Sequence, residues 1–322
     1  MSSSQGTRIA VVGASGIGKH HAKWWALEGA EVCAFVGTSE ESVGRAREGL
    51  QGLFDFTGRG YTDLDEMLER ERPDIVDVCS PPRWHFAHAA KAIDAGCHVL
   101  CEKPLVYDPA LSREELLAQA RDLVTRAEHA GKRFGVCTQY VVCARMVRNI
   151  WKQSRSDRMA SKYRVHLASP AKGREPDPAR VWVDLGPHPI SGLQELSHDG
   201  EILWDTVRTE FSGYNAIARF TAKRVTGEPI ECELITGNTT EPPPHVREVT
   251  LDDCTFVIGG ENDADGVYCA RIDTEEGAHV EPDFMRVLIG EFLAGEPAAD
   301  GNAGIINLDW LLRILEIARE QN

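Results

Sequence analysis

A short apolar run that ends in a cluster of glycines constrains this chain more than any other feature. Ile9-Ala-Val-Val12 leads straight into Gly13-Ala-Ser-Gly-Ile-Gly18, and a helical apolar pattern through Ala22, Trp25 and Ala26 follows. Strand, glycine turn and helix in that order predict a β–turn–α unit, with the helix over 15–27. In such units one glycine permits the tight bend, another lets backbone approach a phosphate, and a third lets helix pack on strand. The helix N-terminus then offers unpaired N–H groups and a partial positive charge to an anion. The spacing departs from G-x-G-x-x-G at one place, because Ser15 stands where the second glycine is expected. Gly13, Ser15, Gly16, Ile17 and Gly18 are therefore read as a nucleotide phosphate site.

The rest of the first part keeps the same alternation. Apolar runs predict strands over 32–36, 75–79, 98–101 and 134–138. Helical patterns fall over 40–48, with Thr38 or Ser39 as cap, and over 62–70, with Thr62 as cap and Asp65 its acidic partner. Further helices are expected over 85–94 and 112–130, closed by Gly96 and Gly131. Strands alternating with helices imply parallel pairing in a doubly wound sheet buried on both faces. After residue 138 the pattern changes. One helix is expected over 145–153. Longer alternating segments follow over 162–168, 207–222, 230–236, 247–258 and 267–272, with two closing helices over 283–293 and 304–319. In Ile230-Glu-Cys-Glu-Leu234 the apolar residues share one face and the glutamates the other, as in a half-exposed antiparallel strand. The expected fold is α/β: an N-terminal doubly wound parallel sheet over 7–138, then an α+β domain with a largely antiparallel sheet over 139–322.

Composition narrows the partners. Lys and Arg number 35 against 50 Asp and Glu, a formal charge of −15. So acidic a chain does not attract nucleic acid or anionic membrane through bulk charge. No apolar run is long enough to span a bilayer, and Met1–Thr7 lacks the basic and apolar regions of a signal peptide. Nine cysteines, without any C-x-x-C pair, read as buried small hydrophobes in a reducing compartment. A cytoplasmic protein is expected.

Ligands of open parallel sheets gather at the carboxyl ends of the strands. Two features fall there besides the glycine turn. Cys79-Ser-Pro-Pro-Arg-Trp-His85 follows one strand, and Cys101-Glu-Lys-Pro-Leu105 follows the next. Alone, Glu102 and Lys103 would read as a solvated charge pair. Together with Ala95-Gly-Cys-His-Val-Leu-Cys101 and Asp184-Leu-Gly-Pro-His188, the set resembles the glucose–fructose oxidoreductase and inositol dehydrogenase family in order and approximate spacing. The resemblance is strong over 8–105, fair over 134–192, and beyond about 200 rests on domain pattern. His98-Val-Leu-Cys-Glu-Lys-Pro104 is its most specific piece.

The resemblance implies a nicotinamide-dependent oxidoreductase, with a Rossmann domain and a second domain built on an open, mostly antiparallel sheet, acting on a hydroxyl or carbonyl of a sugar, polyol or related small molecule. It implies Lys103 beside the reacting carbon, a Lys103–Pro104 bond that is often cis, and Asp184 and His188 as the second-domain pair. The chemistry suits these residues. Histidine titrates near neutrality and serves as general acid/base. An ammonium stabilises alkoxide character, and Asp184 would orient or charge-balance them. Pro187 and Pro189 flank His188, so the stretch is expected to be a loop entering a helix at about Pro189. The cofactor set is completed by Gly37, Thr38, Ser39, Ser80, Pro81, Pro82, His85, Glu102 and Lys103.

Gly37-Thr-Ser39 lacks the acidic residue that would meet the 2′-hydroxyl of NAD. That favours NADP, or else NAD, with Arg45 or Arg47 approaching from the next helix. Three departures concern the substrate side: Ala179-Arg-Val-Trp-Val183, Ser191, and Gln139-Tyr-Val-Val-Cys143 in place of an arginine-rich start. Trp84 and Trp182 lie near the expected site and are read as core. No resident metal is expected, since neither the His20–His21 nor the His85–His88 pair has a third ligand nearby in sequence. A homodimer or homotetramer through the open sheet face is expected. The alternatives are a dinucleotide- or sugar-sensing regulator acting through a protein partner, and a redox-neutral enzyme with tightly held cofactor.

Overall fold

The computed structural model describes residues 6–155, 158–198, 200–264 and 266–321. The chain forms two compact units, residues 1–138 with 285–308, and residues 139–284 with 309–322.

The first unit holds β1 (Arg8–Val12), α1 (Gly18–Leu27), β2 (Glu31–Val36), α2 (Glu40–Gln51), β3 (Arg59–Tyr61), α3 (Leu64–Glu71), β4 (Ile75–Val78), α4 (His85–Asp94), β5 (His98–Glu102), α5 (Arg113–His129) and β6 (Phe134–Cys137). Its strands are all parallel, in the order β3-β2-β1-β4-β5-β6. The winding reverses between β1 and β4, which puts a crevice at their carboxyl ends. Ile9, Ala10, Val11, Ile75, Val76 and Val78 have no appreciable exposure, as strands covered on both faces require. One polar side chain breaks the run, the fully buried Asp77 in the middle of β4.

The second unit adds α6 (Tyr140–Arg155), β7 (Lys162–Pro170), α7 (Pro178–Leu185), α8 (Pro187–Ser197), β8 (Glu201–Ser212), β9 (Asn215–Lys223), β10 (Pro229–Thr239), β11 (Val246–Leu251), β12 (Cys254–Asn262), β13 (Tyr268–Thr274) and β14 (Gly277–Pro282); α9 (Phe284–Ala294) and α10 (Gly301–Gln321) close the chain. The sheet runs β14-β13-β12-β11-β7-β10-β9-β8. Every neighbouring pair is antiparallel except β7 with β10. Ile230, Cys232 and Leu234 are buried while Glu231 is exposed, as the alternation predicts. The helices lie close to this sheet: Tyr163 of β7 donates its hydroxyl to the Pro189 carbonyl at 3.1 Å. A Cβ on Gly192 of α8 would sit 2.2 Å from that oxygen.

Several local expectations change. The segment over 207–222 is two strands turning at Gly213, and that over 247–258 is a hairpin turning at Asp252, which has φ +54. Apolar alternation continues across both turns, so periodicity hides them. The cap of α3 is Asp63, whose carboxylate accepts from the Glu66 N–H at 2.8 Å, and not Thr62. Helix α1 starts at Gly18 rather than Ser15. Residues 285–308 go with the first unit, although the sequence places them beyond the domain change. Phe292 meets Trp25 edge-on at 6.0 Å, and its ring lies 3.0 Å from where a Cβ on Gly135 would be. Arg286 donates to Glu28 at 2.6 Å.

Candidate active site

The glycine turn is built for close approach. Gly13 has φ +91, and a Cβ there would lie 2.9 Å from the Cys79 carbonyl oxygen. A Cβ on Gly18 would lie 2.2 Å from the Gly13 oxygen. Both glycines therefore bring β1, the first turn of α1 and the end of β4 together. Gly16 differs: its φ is +60, and no atom stands within 4 Å of its Cβ position. Ser15, Gly16 and Ile17 are exposed, and no side chain caps the N-terminus of α1. An open glycine before an uncapped helix start is the cradle a pyrophosphate needs, so the residues present fit a dinucleotide.

The adenosine end is less accommodating than the sequence suggests. Ser39 caps α2 and, with Ser42, forms a reciprocal capping box. The Thr38 and Ser39 N–H groups both donate to Ser42 Oγ at 2.9 Å. Arg45 pairs with Glu41. Arg47 donates to the Gly58 carbonyl at 3.0 Å and lies over the Phe35 and Phe56 rings. Both arginines expected near a 2′-phosphate are thus held by other groups. A Cβ on Gly37 would meet Ser42 Oγ at 2.8 Å.

At the end of β4, Ser80 is buried and its Oγ lies 2.9 Å from His88 Nδ1. Pro81 is exposed, and Pro82 opens a single 3-10 turn ending at Trp84. His85 is fully buried. Its ring nitrogens face the Pro104 carbonyl at 3.0 Å and the Ser80 carbonyl at 2.6 Å. Burial pushes its imidazole below the ordinary value, against the pull of those carbonyls. His85 thus ties the Ser80 loop to the loop after β5.

That second loop carries Glu102 and Lys103, both half-buried. The Glu102 carboxylate accepts from the Lys103 N–H at 3.0 Å on one oxygen and meets His21 Nε2 at 3.1 Å on the other. The Lys103–Pro104 peptide is cis, as the resemblance implies. Of the two tryptophans read as core, Trp182 is, with its indole N–H donating to the Leu311 carbonyl at 3.0 Å. Trp84 is not: it is 49% exposed, with the Arg83 guanidinium 5.6 Å from its ring and His88 stacked on it at 6.3 Å.

In the second unit, Asp184 is exposed in the last turn of α7, and His188 is half-buried in the first turn of α8. The expected loop is absent. Gly186 between the helices has φ −57 and ψ −33, and Ile190 N–H bonds back to its carbonyl at 3.2 Å. Helical backbone therefore spans the four residues from Asp184 to His188. Pro187 fits because it is the first residue of α8, where no N–H is required. Gly186 is needed for space, since a Cβ would lie 2.5 Å from the Trp182 carbonyl oxygen. Tyr140 packs its ring 5.2 Å from the His188 ring, and Ser191 Oγ donates to the His188 carbonyl at 2.7 Å. Burial raises the Tyr140 phenol well above its ordinary range.

The structure thus gathers the glycine turn, residues 80–85 and residues 102–103 in one unit, and places Asp184 and His188 in the other. It adds Asp77, which pattern reading passes over although it is an acid inside an otherwise apolar parallel strand, and brings in two residues named earlier without such a place: His21 against Asp77 and Glu102, and Tyr140 beside His188.

A doubly wound parallel sheet with an open glycine turn at its switch point defines a dinucleotide-binding α/β protein. Residues 7–138 match the Gfo/Idh/MocA oxidoreductase family with an NAD-binding Rossmann fold, over less than half of the chain. D-glucoside 3-dehydrogenase of Escherichia coli is 34% identical over 128 residues, 39% of this chain and 32% of its own length. UDP-N-acetylglucosamine 3-dehydrogenase of Acidithiobacillus ferrooxidans is 31% identical over 135 residues, 42% and 40% of the two chains. The matched stretch thus spans less than half of either relative. Likeness of fold extends further. The structure of scyllo-inositol dehydrogenase from Lactobacillus casei, with bound NAD(H) and scyllo-inositol, superposes with TM-score 0.70 at 17% identity, covering 98% of each chain. That of the Acidithiobacillus enzyme gives 0.69 at 19%, covering 96% of each. Among the described residues, no helix is long and apolar enough to cross a membrane.

Proposed function

We propose that this protein is an NAD(P)-dependent oxidoreductase that interconverts a hydroxyl and a carbonyl on a sugar, a polyol or a related small molecule. The observation that carries the proposal is the loop Glu102-Lys103-Pro104, held at the carboxyl end of β5 by Glu102 on one side and His85 on the other. The nicotinamide, when bound, accepts or donates the hydride. Lys103 places a positive charge against developing alkoxide oxygen. His188 takes the hydroxyl proton during oxidation and returns it during reduction, and Asp184 balances its charge. Gly13, Gly16 and the first turn of α1 bind the pyrophosphate, while Ser15 and Ile17 border it. Ser80, Pro81 and Pro82 form the neighbouring wall, and His85 positions it. The sugar dehydrogenases among the relatives support the substrate class. With Arg45 and Arg47 held elsewhere, NAD and NADP are expected to bind within about tenfold of one another. The protein is further proposed to self-associate as a homodimer or homotetramer through the open face of the second sheet; a monomer by light scattering at micromolar concentration overturns this.

Titration with NADH and NADPH, followed by tryptophan quenching and nicotinamide fluorescence, tests the reading. Micromolar binding of either supports it. No binding of either by cofactor-free protein removes the oxidoreductase reading and leaves a regulator that acts through a protein partner.

A further inference from the structure

A buried polar cluster lies beneath the Lys103 loop, built wholly within the first unit. His21 of α1 is fully buried. Its Nδ1 lies 2.9 Å from Asp77 Oδ2 and its Nε2 lies 3.1 Å from Glu102 Oε1. The acceptor on each side is a carboxylate. A neutral imidazole donates from one nitrogen only and would turn a lone pair toward the second carboxylate, whereas the doubly protonated ring donates to both. The remaining carboxylate valences are used as well. Asp77 accepts from the Trp25 indole N–H at 2.6 Å and the Cys79 thiol at 3.3 Å, and Glu102 accepts from the Lys103 N–H at 3.0 Å.

We infer that His21 is a positioning residue: an imidazolium held between Asp77 and Glu102 that fixes the Glu102 carboxylate, and through it the backbone of Lys103. The chain of contacts runs Trp25, Asp77, His21, Glu102, Lys103. The groups facing the ring are Trp24 on its own helix, Asp77 and Cys79 from β4 and its end, Glu102 from β5 and Cys137 from β6; Met285 of α9 lies against Cys137. His20 is the adjoining titratable neighbour. Burial opposes charge on His21, but the Asp77 carboxylate, through its charge and its hydrogen bond, helps to hold the imidazole well above its ordinary value. The same donor atoms form two triads with metal-like spacing, His21 with Asp77 and Cys79, and His21 with Glu102 and Cys137. Each ring nitrogen nevertheless faces a carboxylate oxygen directly at hydrogen-bond distance, 2.9 and 3.1 Å. Protons account for the geometry without an ion.

The catalytic consequence rests on the reading of Lys103 given above; the structural one does not. Residue-resolved hydrogen–deuterium exchange on the full chain separates them. In His21→Gln, exchange of the Lys103 amide is expected to quicken at least about tenfold, with the amides of β1 and β4 unchanged. Glu102→Gln should do the same, and Asp77→Asn stands in if a His21 variant does not fold. An unchanged Lys103 amide overturns the proposal, as does equal quickening across the whole first sheet, which would mark a merely structural role. Stoichiometric zinc in the purified protein, lost in His21→Gln, also overturns it. In steady state, kcat of His21→Gln should fall about tenfold or more while cofactor affinity stays within about twofold. If the unaltered protein turns over no substrate, the dehydrogenase reading fails and the exchange result still decides the role of His21.

Discussion

The two sheets hold their charges in opposite ways. In the parallel sheet Asp77 sits in the middle of a strand with no exposure at all, and its carboxylate accepts from the donors His21, Trp25 and Cys79. In the antiparallel sheet Glu233 bridges Arg164 at 2.7 Å and Arg219 at 2.6 Å on the open face, with its side chain 29% exposed. An uncompensated buried carboxylate costs several kcal/mol, so it persists only where a complete donor set surrounds it. A solvated pair costs little and contributes little. Buried charge therefore marks where this molecule fixes geometry, and surface charge marks only a face that meets water or a partner.

The contrast is broken or sharpened by four experiments. The largest effect is expected at the chemistry. Lys103→Ala should lose about a thousandfold in kcat with cofactor affinity within threefold, and His188→Asn about a hundredfold, by steady-state kinetics and fluorescence titration. Normal turnover of Lys103→Ala would mean that the tightly held unit is not the catalytic one. Next come two glycines with equally small clearances. Gly18→Ala puts its Cβ 2.2 Å from a backbone oxygen, and Gly192→Ala puts its Cβ 2.2 Å from the Tyr163 hydroxyl. The first should weaken dinucleotide binding about a hundredfold or more; the second should lower stability by about 1–3 kcal/mol and leave binding alone.

A pH experiment follows. Burial, with Arg133 and Lys132 beside it, lowers His98 to about 4. Its Nδ1 accepts the Arg133 N–H at 2.8 Å and so stays unprotonated in the fold. The unfolded chain takes up the proton first, near pH 6.5, so the His98 contribution to stability should fall as pH drops from about 6.5 toward 4 and stay constant above. His21 behaves in the opposite sense: its contribution is complete below the unfolded value, near pH 6.5, and is lost as pH rises from there through its raised value in the fold. Urea midpoints against pH, with His98→Gln flattening the acid limb, check this. The smallest effect is at the surface. Glu233→Gln should shift stability by less than about 1 kcal/mol, and a larger loss would show that the open ladder is covered by a partner.

Much of this was legible in the chain itself, and for a common reason. The Glu102-Lys103-Pro104 loop was found by resemblance; the glycine turn and the apolar parallel strands are each set by residues within a few positions of one another. Steric limits on φ, helix-end chemistry and burial on both faces act on neighbours in sequence, so pattern suffices to find them. The α7–α8 junction was misread because prolines usually end helices; here Pro187 occupies a first helical position and Gly186 keeps helical angles. The turns at Gly213 and Asp252 were hidden because apolar alternation runs through them.

By itself, then, the sequence determined the doubly wound sheet and its glycine turn, and resemblance named Lys103, Asp184 and His188 as candidates. Only the tertiary structure decided which histidine lies between two carboxylates. His21 meets Asp77 and Glu102 across separations of 56 and 81 residues, and no local pattern encodes a contact that forms only when three strands and a helix close on one another. The same holds for the commitment of Arg47 to Phe35 and Phe56 and for the return of residues 285–308 to the first unit. Partner choice for a buried polar group is settled by what else is buried beside it, and that is a property of the folded packing.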